Sequence, residues 1–231
     1  MIVLWKETQT SKKEHNMSQT AYETILKEKV VAIVRGFSPE TVVELAKSYL
    51  AGGIRCIEVT FPQNDPEGAQ RTAATIRLLK QTLGSELCVG AGTVMTPEQV
   101  RMAAEAGAEY MISPNVDEDV IRETKRLGKV SIPGAMTPTE IALGYKLGGD
   151  IIKLFPANEV GLSYIKAVKA PLKHIPIMAT GGVRPANAKD YLAAGSSALG
   201  VGGDLVNKTW IAEGAFDKIA QAAKDYAEAV K

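Results

Sequence analysis

Two ionisable residues stand where ionisable residues are expensive. Lys153 lies in Asp150-Ile-Ile-Lys-Leu-Phe-Pro156 and Glu58 in Ile57-Glu-Val-Thr60. Each run is short and mostly apolar and reads as a strand of a parallel sheet covered on both faces. A lysine placed there must find a partner, reach water, or have its charged form disfavoured by desolvation. In the last case its amine is neutral and nucleophilic, suited to forming a Schiff base with a carbonyl compound. A carboxylate beside it could then move protons. The alternative is a buried structural Lys–Glu pair. Both readings require the two side chains to meet in space.

The elements that must position them recur along the chain. Apolar, β-branched runs fall at 30–34, 54–59, 87–91, 109–112, 130–132, 150–155, 175–179 and 198–201. Between them lie segments with helical periodicity, several opened by a cap and a proline: Ser38-Pro39-Glu40, Thr96-Pro97-Glu98, Thr137-Pro138-Thr139-Glu140 and Arg184-Pro185. Glycines close them, as in Ala106-Gly107 and Ala194-Gly195. Eight strands alternating with eight helices predict an α/β fold, a single (β/α)8 TIM barrel, rather than an open doubly wound sheet. Residues 18–231 form that one domain, with an N-terminal helix leading to the first strand. Residues 1–17, polar and without periodicity, are expected to be a disordered or tag-like extension.

In such barrels chemistry sits at the C-terminal ends of the strands. Those positions hold Arg35, Glu58 with Thr60, Gly92-Thr93, Ser113-Pro114-Asn115, Pro133-Gly134, Lys153 with Phe155, Thr180-Gly181-Gly182 and Gly202-Gly203. Glycine-rich loops after strands seven and eight are a frequent phosphate site, because backbone N–H groups and a helix N-terminus can approach an anion there.

Other classes of function lose ground on composition. With 27 Lys plus Arg against 26 Asp plus Glu the net charge is +1, without a basic stripe, so no nucleic-acid partner is expected. The two histidines, His15 and His174, cannot assemble a His-based metal site, so no metal is expected. Gly-x-Gly-x-x-Gly does not follow strand one, which argues against a dinucleotide cofactor. Cys56 and Cys88 sit in apolar runs and read as buried thiols of a reducing compartment. No stretch is long and apolar enough to span a membrane, and the cytoplasm is the expected location.

Seven stretches, taken in order, resemble the 2-keto-3-deoxy-6-phosphogluconate / 4-hydroxy-2-oxoglutarate aldolases, a class I family. They are Gly53-Ile-Arg-Cys-Ile-Glu-Val-Thr60, Val89-Gly-Ala-Gly-Thr-Val94, Ile112-Ser-Pro-Asn115, Ile132-Pro-Gly-Ala-Met-Thr-Pro138, Ile152-Lys-Leu-Phe-Pro-Ala157, Ala179-Thr-Gly-Gly-Val183 and Gly200-Val-Gly-Gly203. The resemblance covers about residues 20–230. It implies Lys153 as the Schiff-base lysine and Glu58 as the general acid/base. Thr93, Pro114 and Phe155 would line the keto-acid pocket, and Thr180, Gly181, Gly182, Gly202 and Gly203 the phosphate end. It further implies a homotrimer without cofactor or metal, acting on a small 2-keto acid.

Two positions depart from the family pattern. Phe61-Pro62-Gln63 stands where well-known members carry an arginine for the substrate carboxylate, leaving Arg35 or the backbone near Thr93 to substitute. Gly203 stands where many have serine, with Asp204 beside it. A substrate without phosphate, such as 4-hydroxy-2-oxoglutarate, or a stereoisomeric galactonate-type acid therefore remains open. A barrel isomerase or epimerase using Lys153 and Glu58 for proton transfer alone is the second enzyme class. A binding barrel without turnover is the third reading.

Overall fold

The computed structural model describes residues 21–63, 65 and 67–231, so the expected extension over 1–17 and the cap at Ser18 lie outside the described residues. Helix α1 covers residues 21–28 and leads into eight parallel strands. These are β1 (Val30–Val34), β2 (Cys56–Thr60), β3 (Cys88–Gly92), β4 (Tyr110–Ile112), β5 (Val130–Ile132, resumed as Gly134–Ala135), β6 (Ile152–Leu154), β7 (Ile177–Thr180) and β8 (Ala198–Val201). Pro133 has no N–H to give to the ladder, which is why β5 is broken there. The barrel nonetheless closes across the break. Ser113 N donates to Ile132 O at 3.1 Å on one side, and Lys153 N donates to Pro133 O at 2.9 Å on the other.

Around the strands run α2 (Pro39–Ala51), α3 (Gly68–Leu83), α4 (Pro97–Ala106), α5 (Glu118–Arg126), α6 (Pro138–Lys146), α7 (Ala157–Lys169), α8 (Pro185–Ala193), α9 (Lys208–Ala212) and α10 (Phe216–Ala229). Ser38, Thr96 and Thr137 cap α2, α4 and α6 with their side-chain oxygens, each followed by proline, as their sequence pattern requires. Arg184 has no oxygen to offer α8. There Asn187 Oδ1 accepts from Arg184 N at 2.7 Å instead. Asp150, expected in the sixth strand, leaves it: its carboxylate pairs with Lys125 Nζ and accepts from Ser131 N, both at 2.7–2.8 Å.

Alternation sorts the side chains into two cores. Val30, Ala32, Val34, Ile57, Val59, Ile152 and Leu154 face the helices, while Val31, Cys56, Tyr110, Ile112, Ile151 and Met178 fill the barrel. Ala21 and Ile25 of α1 belong to the inner cluster, so α1 plugs the barrel from the end where the strands begin. The opposite end is left for chemistry. Cys56 and Cys88 are register partners inside the barrel, both buried and both free.

Candidate active site

Glu58 continues the inward row of Cys56, and Lys153 that of Ile151. β2 and β6 are separated by β1, β8 and β7 in the sheet, which puts them on opposite walls of an eight-stranded barrel. The two side chains therefore point at each other across the mouth. Glu58 is 1% exposed and Lys153 8%. Among the described residues neither is bound in a hydrogen bond or close ion pair, yet each lies in the other's field. Burial raises the Glu58 pKa, and the charges of Lys153 and then Arg35 oppose that shift. The arrangement leaves both groups free to act on a ligand between them. Lys153 Nζ stands 5.0 Å from the centroid of the Phe155 ring, which is 42% exposed at the rim and helps keep that face of the amine apolar.

The seat of Glu58 is made by an absence of side chain. Gly92 is the register partner of Thr60 at the end of β3, and a methyl group on it would collide with Glu58 Oε1. Gly92→Ala is expected to push the carboxylate off its line to the substrate and lower kcat at least about a hundredfold, as a displacement near 1 Å does. Steady-state kinetics beside a thermal melt would show this, and an unchanged kcat would refute the placement.

Next in the chain, Thr93 has φ +54°, left-handed backbone that a β-branched residue adopts only at a cost of about 1–3 kcal/mol. Its Oγ1 accepts from Arg35 Nη2 at 3.0 Å, so the end of β1 reaches the end of β3. Gln63 does the same from β2. Its Nε2 donates to Thr93 O at 2.9 Å and to Phe61 O at 3.2 Å. In the sequence Gln63 is only the last residue of Phe61-Pro62-Gln63, and no local pattern reports a contact across 30 residues.

At the mouth the hydroxyls of Thr60 and Thr180 follow the inward rows of Glu58 and Met178, and both Oγ1 atoms are buried without a hydrogen-bond partner among the described residues. Such a hydroxyl is costly unless something bonds it, a need that a water or a ligand in the mouth would meet. Gly181 and Gly182, with φ +106° and +70°, turn the chain above Thr180 toward the N-terminus of α8. The side chain of Asn158, at the start of α7, lies against both glycines, where a Cβ would clash with it. Tyr226 braces this region from outside the barrel. Its hydroxyl donates to Val183 O at 3.2 Å and would stand 3.7 Å from a side chain at Gly203. Its pKa is pushed up to about 12 by burial first and by Asp204 second, so it stays a donor. Tyr49 holds the other side of the turn through Leu205 O at 2.7 Å.

Of the residues singled out from sequence, Glu58, Lys153, Arg35, Thr93, Phe155 and Thr180 converge on the barrel mouth. Pro114 enters through its backbone, which lies against Gly134. Gly202 and Gly203 form the turn after β8, with Asp204 in it. A cleft of about 590 Å³ opens beside the mouth rather than over Lys153; Arg35, Thr60, Asp65 and Arg71 line it between α2 and α3. Among the described residues no cluster of three or more His, Cys, Asp or Glu is placed to hold a metal ion.

The chain matches a family model described as KDPG and KHG aldolase over residues 22–222. It is 35% identical over 216 residues to a KHG/KDPG aldolase of Escherichia coli K12, covering 92% of this chain and 98% of that one. It is 33% identical over 203 residues to a 2-dehydro-3-deoxy-6-phosphogalactonate aldolase of the same organism, covering 87% and 96%. A solved structure of KDPG aldolase from Legionella pneumophila, with pyruvate captured as a covalent carbinolamine intermediate, superposes with a TM-score of 0.78 at 26% identity, covering 88% and 96%.

Proposed function

The chain belongs to the KDPG and KHG aldolase family, carbon–carbon lyases, and we propose that it splits a 2-keto-3-deoxy sugar acid through a Schiff base on Lys153. The Lys153 amine adds to the C2 ketone, and the carbinolamine loses water to give an iminium. Glu58, directly or through a water, takes the proton of the C4 hydroxyl. The C3–C4 bond breaks, its electron pair moves to the iminium nitrogen, and an aldehyde leaves. Glu58 or its water returns a proton to C3 of the enamine, and water then releases pyruvate and the free amine. The proton taken from the C4 hydroxyl is returned at C3, and the water lost on forming the iminium is regained in its hydrolysis, so the steps balance without an oxidant.

The observation that carries this reading is that Glu58 and Lys153 face each other from opposite walls, both buried and neither committed to a partner among the described residues. Arg35 and Thr93 supply the cationic and hydroxyl contacts for the keto-acid end. Thr180, Gly181 and Gly182 receive the far end of the substrate, and the α8 N-terminus favours an anion there. A 6-phospho acid and 4-hydroxy-2-oxoglutarate both end in one, so the products are pyruvate with glyceraldehyde 3-phosphate or glyoxylate. Assembly as a homotrimer is part of the same reading, with Leu143 and Tyr145 of α6 as exposed apolar residues that a second copy could cover. The free thiols suit a cytoplasmic location, and residues 18–231 are taken as the one catalytic domain.

Borohydride added with pyruvate is expected to fix a three-carbon adduct on Lys153, located by peptide mass spectrometry. An isomerase using the same pair for proton transfer alone would form none. Active protein without the adduct would sink the Schiff-base mechanism.

A further inference from the structure

Gln63 is tied to two strand ends at once. Its amide nitrogen donates to Thr93 O at 2.9 Å and to Phe61 O at 3.2 Å. Both neighbours are carbonyls, so the nitrogen and not the oxygen must face them. The residue it holds, Thr93, keeps a β-branched side chain at φ +54°. Left alone, such a residue relaxes toward negative φ. Relaxation would swing the Thr93 hydroxyl away from Arg35 Nη2, which now donates to it at 3.0 Å. It would also disturb Gly92, whose bare Cα seats the Glu58 carboxylate. One amide thus connects Phe61, Thr93 and Arg35 into a single brace at the keto-acid side of the mouth.

We propose that Gln63 is a positioning residue that sets the affinity for the keto-acid end of the substrate, by holding Thr93 in its left-handed conformation. It does not touch the reacting atoms. The role rests on the aldolase reading above.

The test uses the full chain and pyruvate as the probe, reading the concentration that gives half-maximal borohydride trapping on Lys153. Gln63→Met keeps the length and loses both donors. It is expected to raise that concentration about tenfold, the size of one or two uncharged hydrogen bonds, while the maximal trapping is unchanged. Gln63→Glu sets an oxygen against the two carbonyls and is expected to raise it further. Gln63→Lys restores a donor and should return it to within about threefold of wild type. Glycine tolerates φ +54° without help, so in a Thr93→Gly background Gln63→Met should change the value by less than about twofold, and the double-mutant cycle reports the coupling. An unchanged value in Gln63→Met, or an equal tenfold effect in the Thr93→Gly background, would overturn the role of Gln63 alone. No adduct in wild-type protein would overturn the aldolase reading and this role with it.

Discussion

Lys153→Met is expected to abolish turnover, lowering kcat by at least about a thousandfold as loss of a covalent nucleophile does, and to remove the pyruvate adduct entirely. The same variant is expected to fold as well as wild type or better. Methionine nearly matches lysine in length, and it relieves β6 of an amine that is 8% exposed and held in no hydrogen bond among the described residues. Glu58, whose raised pKa Lys153 partly offsets, can take up a proton once the amine is gone, so no buried charge need be left behind. The combination separates the two readings that the sequence left open. A structural Lys–Glu pair would lose stability when one partner is removed and leave Glu58 buried and uncompensated, with activity falling only as folding falls. Chemical denaturation beside a pyruvate-release assay distinguishes them. A Lys153→Met protein that melts well below wild type and keeps measurable turnover would refute the nucleophile.

How much of this was legible in the chain depended on the range of the interaction involved. Period-two and period-3.6 patterns placed all eight strands, because each strand is decided by its own residues facing two apolar layers. Thr96 and Thr137 announced their helices for the same local reason. The inward direction of Glu58 and Lys153 also followed from alternation once the barrel was accepted, and the strand count put them opposite each other. What was not legible depends on partners far along the chain. Asp150 looked like the start of a strand because nothing local shows that Lys125 and the N–H of Ser131 will claim its carboxylate. Gly92 was one small residue among several until the Glu58 carboxylate was found resting on it. Gln63 carries no local signal of its own, yet two hydrogen bonds make it the brace of Thr93. Tyr226 gave no functional signal at all, being one apolar position on a helix whose hydroxyl reaches a loop 43 residues away. Fold follows from repeated short-range preferences; the site depends on single long-range contacts.

Glu58→Gln provides the other large effect, and here activity and stability should move in opposite directions. Glutamine cannot take the C4 hydroxyl proton, so kcat is expected to fall by about 10²–10⁴, the usual share of a positioned acid–base group. The pyruvate adduct on Lys153 should still form, since the amine remains. Stability follows from linkage. Burial raises the Glu58 pKa, and the attraction of Lys153 and Arg35 recovers only part of the shift. The folded protein therefore binds this proton more tightly than the unfolded chain does. Between the two pKa values the native state carries more protons, so stability falls as pH rises and the full contribution is present only below the unfolded carboxyl pKa. Glutamine imitates the protonated carboxyl at every pH. Glu58→Gln should thus melt above wild type at about pH 8, and the gap should close as the pH falls through and below the ordinary carboxylate range. A variant that melts lower than wild type at neutral pH would mean that the ionised carboxylate is held for structure. A higher melt with a lost proton transfer would mean that the fold carries an unfavourable charge because the reaction needs it there.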